Sequence, residues 1–117
     1  MDDSILNTIK QLLGIDATYE HFDPDIIVHI NSALMKLRQL GVGPKEGFSI
    51  KDNSSTWNEF LLDSNDFEMV KSYIFLNVKI LFDPPTSSNV MDAYNRTIEE
   101  YGWRLNMEAE HHELQEK

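Results

Sequence analysis

With 117 residues the chain can build one hydrophobic core but not two, and its 41% hydrophobic content is that of a folded domain. Twenty acids against ten bases leave a formal charge of -10, which removes the attraction behind most DNA and RNA binding. Cysteine is absent, so disulfides, thiolate zinc sites and cysteine nucleophiles are excluded.

An all-α bundle of four longer helices and one short helix is expected. The first helix covers about residues 3 to 13. Ile5, Leu6, Ile9, Leu12 and Leu13 share one face, and Gly14 supplies the stop. The second opens at Asp23-Pro24-Asp25, where Asp23 is expected to cap free N–H groups and proline suits the first helical position. It runs to Leu40 and stops at Gly41. Ile26, Ile27, Ile30, Ala33, Leu34 and Leu37 form its apolar stripe, while Lys36 and Gln39 point away.

Residues 41 to 55, GVGPKEGFSIKDNSS, form one long irregular segment in which Phe48-Ser49-Ile50 alternates like a very short strand. A loop of that length in a small domain is usually functional or mobile. A short helix from Thr56 to Leu62 follows, anchored by Trp57, Phe60 and Leu61. The third long helix, Asp66 to Phe82, is apolar nearly all round and should be the buried centre. Asn77 projects into its apolar side and needs hydrogen-bond partners there, as a structural amide fixing a neighbouring loop.

Proline bars continuation of that helix through Asp83-Pro84-Pro85, and Ser87 or Ser88 caps a new one. The result is a rigid corner. The last helix continues to about Glu110, with Val90, Met91, Tyr94, Ile98, Tyr101 and Leu105 facing inward. Asp92–Arg96 and Glu100–Arg104 are spaced as i,i+4 ion pairs. Residues from about 108 to 117 read as a charged, flexible tail of the same single domain.

Chemistry is hard to place. GVGPKEGFS lacks the ending of a phosphate loop and follows a helix instead of a strand. His21, His29, His111 and His112 show no zinc spacing, and no nucleophile elbow occurs. No catalytic residue, metal ligand or cofactor is nominated. The longest apolar run, YIFLNVKILF, is interrupted by Asn77 and Lys79 and falls short of the ~20 residues a membrane span needs. The acidic start MDDSILN is not a secretory leader.

Trp103 and Met107 lie together on the last helix, off its core stripe. Two expectations compete for them: an interface anchor, or a core completed by the loop folding Phe48 and Ile50 over Trp103. Trp103, Met107, Phe48 and Ile50 are thus the candidate partner or inter-subunit contacts. Asp83, Pro84, Pro85, Ser87 and Ser88 are the candidate structural corner.

An N-terminal helix, YEHFDPDIIVHINSALMKLRQLGVGP, the loop into STWNEFL, and YIFLNVKILFDPPTSSNVMDAYNRTIEEYGWRLN together resemble the small head–tail connector proteins of tailed bacteriophages and prophages. The resemblance spans roughly residues 4 to 107, and its most specific part is the helix–Asp-Pro-Pro–helix corner with the aromatic terminal helix. It implies a non-enzymatic adaptor that assembles as a ring under the portal protein and extends the DNA channel. Such a ring docks the next head-completion or tail protein at the head–tail interface of a virion assembled in the host cytoplasm. DNA would pass without specific binding, and an acidic wall would help it do so. The competing class is a small acidic phage regulator or DNA mimic on a host enzyme. A mimic should array carboxylates densely on one face, whereas here they are spread among aromatic anchors.

Overall fold

A computed structural model describes the backbone of residues 3–61 and 67–115, and the side chains of 3–61 and 67–110. Five helices follow one another: α1 (Ile5–Leu13), α2 (Asp23–Gln39), α3 (Trp57–Phe60), α4 (Phe67–Phe82) and α5 (Ser88–Gln115). The fold is all-α. The strand-like alternation at residues 48 to 50 forms no strand, and one isolated bridge joins Ser4 to Thr56. The expected endpoints at Leu62 and Asp66 fall outside the described residues, while α5 continues past Glu110 to Gln115.

The apolar α4 lies at the centre, packed against α1, α2 and α5. Val70, Tyr73, Ile74 and Val78 of α4 meet Ile5, Leu6 and Ile9 of α1 and Ile26, Ile30, Ala33, Leu34 and Leu37 of α2. Each of the Val, Leu and Ile side chains contributes about 1.5–3 kcal/mol when fully buried. Leu105 of α5 is buried in the same core, with Ile98 and Tyr101 packed on it. Val90, expected on that inner stripe, is exposed.

Helix α1 departs from its sequence reading in two ways. Leu12 is exposed, and Lys10 takes a place inside, only 1% exposed. A buried ammonium is tolerable only when its donors are used. Lys10 Nζ donates to the Ala17 carbonyl at 3.0 Å and the Tyr19 carbonyl at 2.7 Å, and pairs with Asp23 Oδ1 at 2.8 Å. Asp23 therefore does not cap α2 as expected: Phe22 holds the cap position, with no side-chain cap bond. The carboxylate turns to the ammonium instead.

The segment of residues 41 to 55 is pinned at two points. Asn31 exchanges two hydrogen bonds with the backbone of Ile50, donating at 3.0 Å and accepting at 2.7 Å. Arg38 Nε donates to the Lys45 carbonyl at 3.0 Å. Gly43 adopts φ 89°, and a Cβ there would run into the Phe60 ring, so both its conformation and its neighbour require glycine. Beyond the loop, Thr56 and Glu59 form a reciprocal capping box that starts α3. Trp57 of α3 donates its indole N–H to Thr8 at 3.1 Å.

Asn77 is structural, but it engages a helix and not a loop. Its Nδ2 donates to the Tyr73 carbonyl at 2.8 Å, and its Oδ1 accepts from Lys36 Nζ at 2.9 Å. Lys36, expected to point away, curls back across α2 to reach it. Burial pushes the Tyr73 phenol above its ordinary pKa, partly offset by hydrogen bonding to Asn77.

Candidate docking surfaces at the two ends of the bundle

Helices α2 and α4 run antiparallel, so the start of one lies beside the end of the other. Phe22 and Phe82 meet there edge to face, with ring centroids 5.4 Å apart. Tyr19 and His21 pack on Phe22 at 5.7 and 4.9 Å. Phe22, Asp25, His29, Leu81, Phe82 and Asp83 line an open groove of about 480 Å³. Three of its six lining side chains are apolar, and Leu81 is 54% exposed. Asp83 is held by Lys79 at 2.8 Å, whereas Asp25 has no ion-pair partner among the described residues.

The sequence reading missed this groove because its two halves lie more than fifty positions apart. A signal was nonetheless present. Phe-Asp-Pro occurs twice, at 22–24 and 82–84, once where a helix begins and once where a helix ends. Proline permits a helix start and forbids its continuation, so one tripeptide serves both ends.

After α4, the chain turns through Asp83, Pro84 and Pro85. Ser87, rather than Ser88, occupies the cap of α5: its Oγ accepts from Val90 N–H at 3.4 Å and its carbonyl from Met91 N–H at 3.0 Å. Helix α5 then returns along α4 to the far end of α2, where Asn106 Nδ2 donates to the Leu40 carbonyl at 3.1 Å. Gly41, with φ 89°, lies so close to Ala109 that a Cβ would stand 2.9 Å from that methyl.

At this end Trp103 is 65% exposed and Met107 47%. The expectation that the loop folds over Trp103 to complete the core is overturned. Phe48 packs on Phe60 at 5.3 Å, and Ile50 is buried, so Ile50 is absent from any surface a partner could touch. Glu100 and Arg104 form the expected ion pair at 2.7 Å, but Asp92 and Arg96 do not pair, leaving Arg96 without an ionic partner among the described residues.

The remaining titratable groups do not converge. His21 joins the aromatic cluster and His29 lines the groove, while the side chains of His111 and His112 lie outside the described residues. Among the described residues, no three His, Asp or Glu side chains approach as a metal site would require. Asp16 and Asp52 are held below the ordinary carboxyl value, chiefly by the hydroxyls of Thr18 and Ser54 and then by those residues' backbone N–H groups. Both are exposed turn fixings. No described helix is long and apolar enough to cross a membrane.

A helical body that displays an aromatic groove at one end and a bare tryptophan at the other has the features of a structural assembly protein. The chain matches the phage connector protein family over residues 5–112, nearly its whole length, and belongs to that family. Its role is that of a phage structural connector, which meets other head or tail components and forms part of the virion. No curated protein and no solved structure matches the chain.

Proposed function

We propose that the protein is a head–tail adaptor that assembles as a ring beneath the portal, extends the DNA channel and docks the next head-completion or tail protein. The observation that carries this reading is the exposed Trp103–Met107 face on a helix of the connector family. Tryptophan is enriched among the residues that dominate binding energy, and an i,i+4 pair on a helix is a common docking device. A ring built head to tail requires two unlike faces on each subunit, and the two ends of the bundle are unlike. In this reading the DNA crosses without specific contacts, helped by the net charge of -10. Assembly takes place in the host cytoplasm before the ring becomes part of the virion.

The DNA-mimic class finds little support. Lys10, Lys71, Lys79 and Arg104 each pair with a carboxylate, which takes four acids out of any face of free negative charge. Mixing purified protein with isolated portal rings, followed by electron microscopy, tests the adaptor reading. Added ring density on the portal is expected; its absence with the folded protein would overturn portal docking.

A further inference from the structure

Helix α2 separates the two exposed apolar surfaces. Its 17 residues span about 25 Å at the usual helical rise, with the groove at its first turn and the Trp103 face beside its last. Trp103 therefore cannot enter its own groove. The two surfaces also differ in kind. One is a groove lined in part by Phe22, Leu81 and Phe82; the other is a helix face carrying Trp103 and Met107. A two-fold contact that used both surfaces would have to seat two anchors in two grooves at once across the same ~25 Å, whereas a head-to-tail contact needs one anchor and one groove per interface.

Charge favours the same pairing. Asp25 stands unpaired at the groove. Arg96 lies two turns before Trp103 on the same side of α5, because seven residues at 100° each return to within about 20°. It too has no ionic partner among the described residues. Other acids of α5, Glu99 and Glu110, flank this face, so the pairing of Arg96 is what offsets their repulsion from the groove. The volume of about 480 Å³ admits an indole with room for part of a neighbouring side chain.

Resting on the ring-forming reading above, we propose that the groove of one copy receives Trp103 and Met107 of the next, with Arg96 of the entering copy facing Asp25 of the receiving one. The contact is the aromatic anchor of a heterologous subunit interface. The surrounding surface completes the area that a stable interface needs.

The absence of native cysteine allows a direct test. Two single-site variants, Glu99→Cys beside the anchor and Thr86→Cys beside the groove, leave the proposed contacting side chains intact. They are treated with a short bismaleimide, alone and mixed, at millimolar concentration and on portal-bearing particles. The mixture is expected to give about tenfold more crosslinked dimer than either variant alone. Adding Trp103→Ala to the first, or Leu81→Glu to the second, should abolish that excess. Combining Asp25→Arg on the groove copy with Arg96→Asp on the anchor copy should restore what each substitution alone removes.

Equal crosslinking of single and mixed samples, no crosslink under either condition, or indifference to Trp103→Ala would each overturn the contact. Loss of the protein from particles through Leu81→Glu, with no mixed crosslink, would assign the groove to a different virion protein. Failure of this contact is separable from failure of the adaptor reading: unmodified protein would still decorate portal rings in the first case and would not in the second.

Discussion

The two ends of α2 solve different problems. At its start, a lysine is drawn inside the protein, and three oxygens from the α1–α2 connection and the first helical residue satisfy it. At its end, α5 is held by a side-chain bond from Asn106, by close packing at Gly41 and by Leu105 in the core, while a large aromatic is left in solvent. The first arrangement spends polar groups on fixing the shape of the end that carries the groove. The second withholds an apolar group from the core that would gain from it. A surface held by a buried ion pair and a surface left as a bare side chain should therefore respond differently to substitution.

The largest effect is expected from Lys10→Ala. Removing one member of a mostly buried ion pair strands the other, and such losses run about 3–5 kcal/mol. Urea unfolding should show a lower midpoint with an unchanged slope, and the aromatic cluster around Phe22 should loosen with it. Asn77→Ala comes next, at about 1–3 kcal/mol, because it leaves a buried Tyr73 carbonyl and the Lys36 ammonium without that partner. If Lys10→Ala proved the milder of the two, the start of α2 would not be the locked end.

Trp103→Ala should sharpen the contrast from the other side. Thermal or urea stability should change by no more than about 0.5 kcal/mol, as for surface positions away from special features. A loss above 2 kcal/mol would show that Trp103 belongs to the core and would erase the distinction drawn between the two ends.

The smallest effect concerns acid stability. Asp16 and Asp52 are held below their ordinary value of 3.8 in the folded chain, so the unfolded chain takes up protons first as pH falls. Their contribution is present above that value and is lost as pH drops through the lower folded values. Asp16→Asn with Asp52→Asn should flatten stability below pH 3.8, with only the weak attraction of Asp16 for Lys10 lost at the α2 start.

Much of the fold was legible because local rules and burial agree. The periodicity of α2 and α4, proline at the opening of α2 and the proline stop after Phe82 each place an element from sequence alone. Lys10 was not legible, since a charged side chain at a core-facing position is ordinarily assigned to solvent; its partners lie in a turn that periodicity does not describe. The same oversight misplaced Asp23 as a cap. Trp103 was visible as a residue without a role, but only the packing of Phe48 on Phe60 decides that the loop leaves it bare. The groove joins two segments through tertiary packing, and no window of sequence contains both.

The stitch between the start of α1 and the start of α3 has a consequence for how the chain comes together during synthesis. Ile5 N–H donates to the Ser55 carbonyl at 3.1 Å, and Trp57 N–H to the Asp3 carbonyl at 3.0 Å. A nine-residue helix has little stability of its own in water. Its apolar face also needs α4, which emerges from the ribosome later still. Helix α1 is therefore translated before α4 but settles only with it. Until residue 78 has been made, Ile5, Leu6 and Ile9 lack the Ile74 and Val78 side chains that share their core, and the nascent chain carries α1 as an exposed sticky segment.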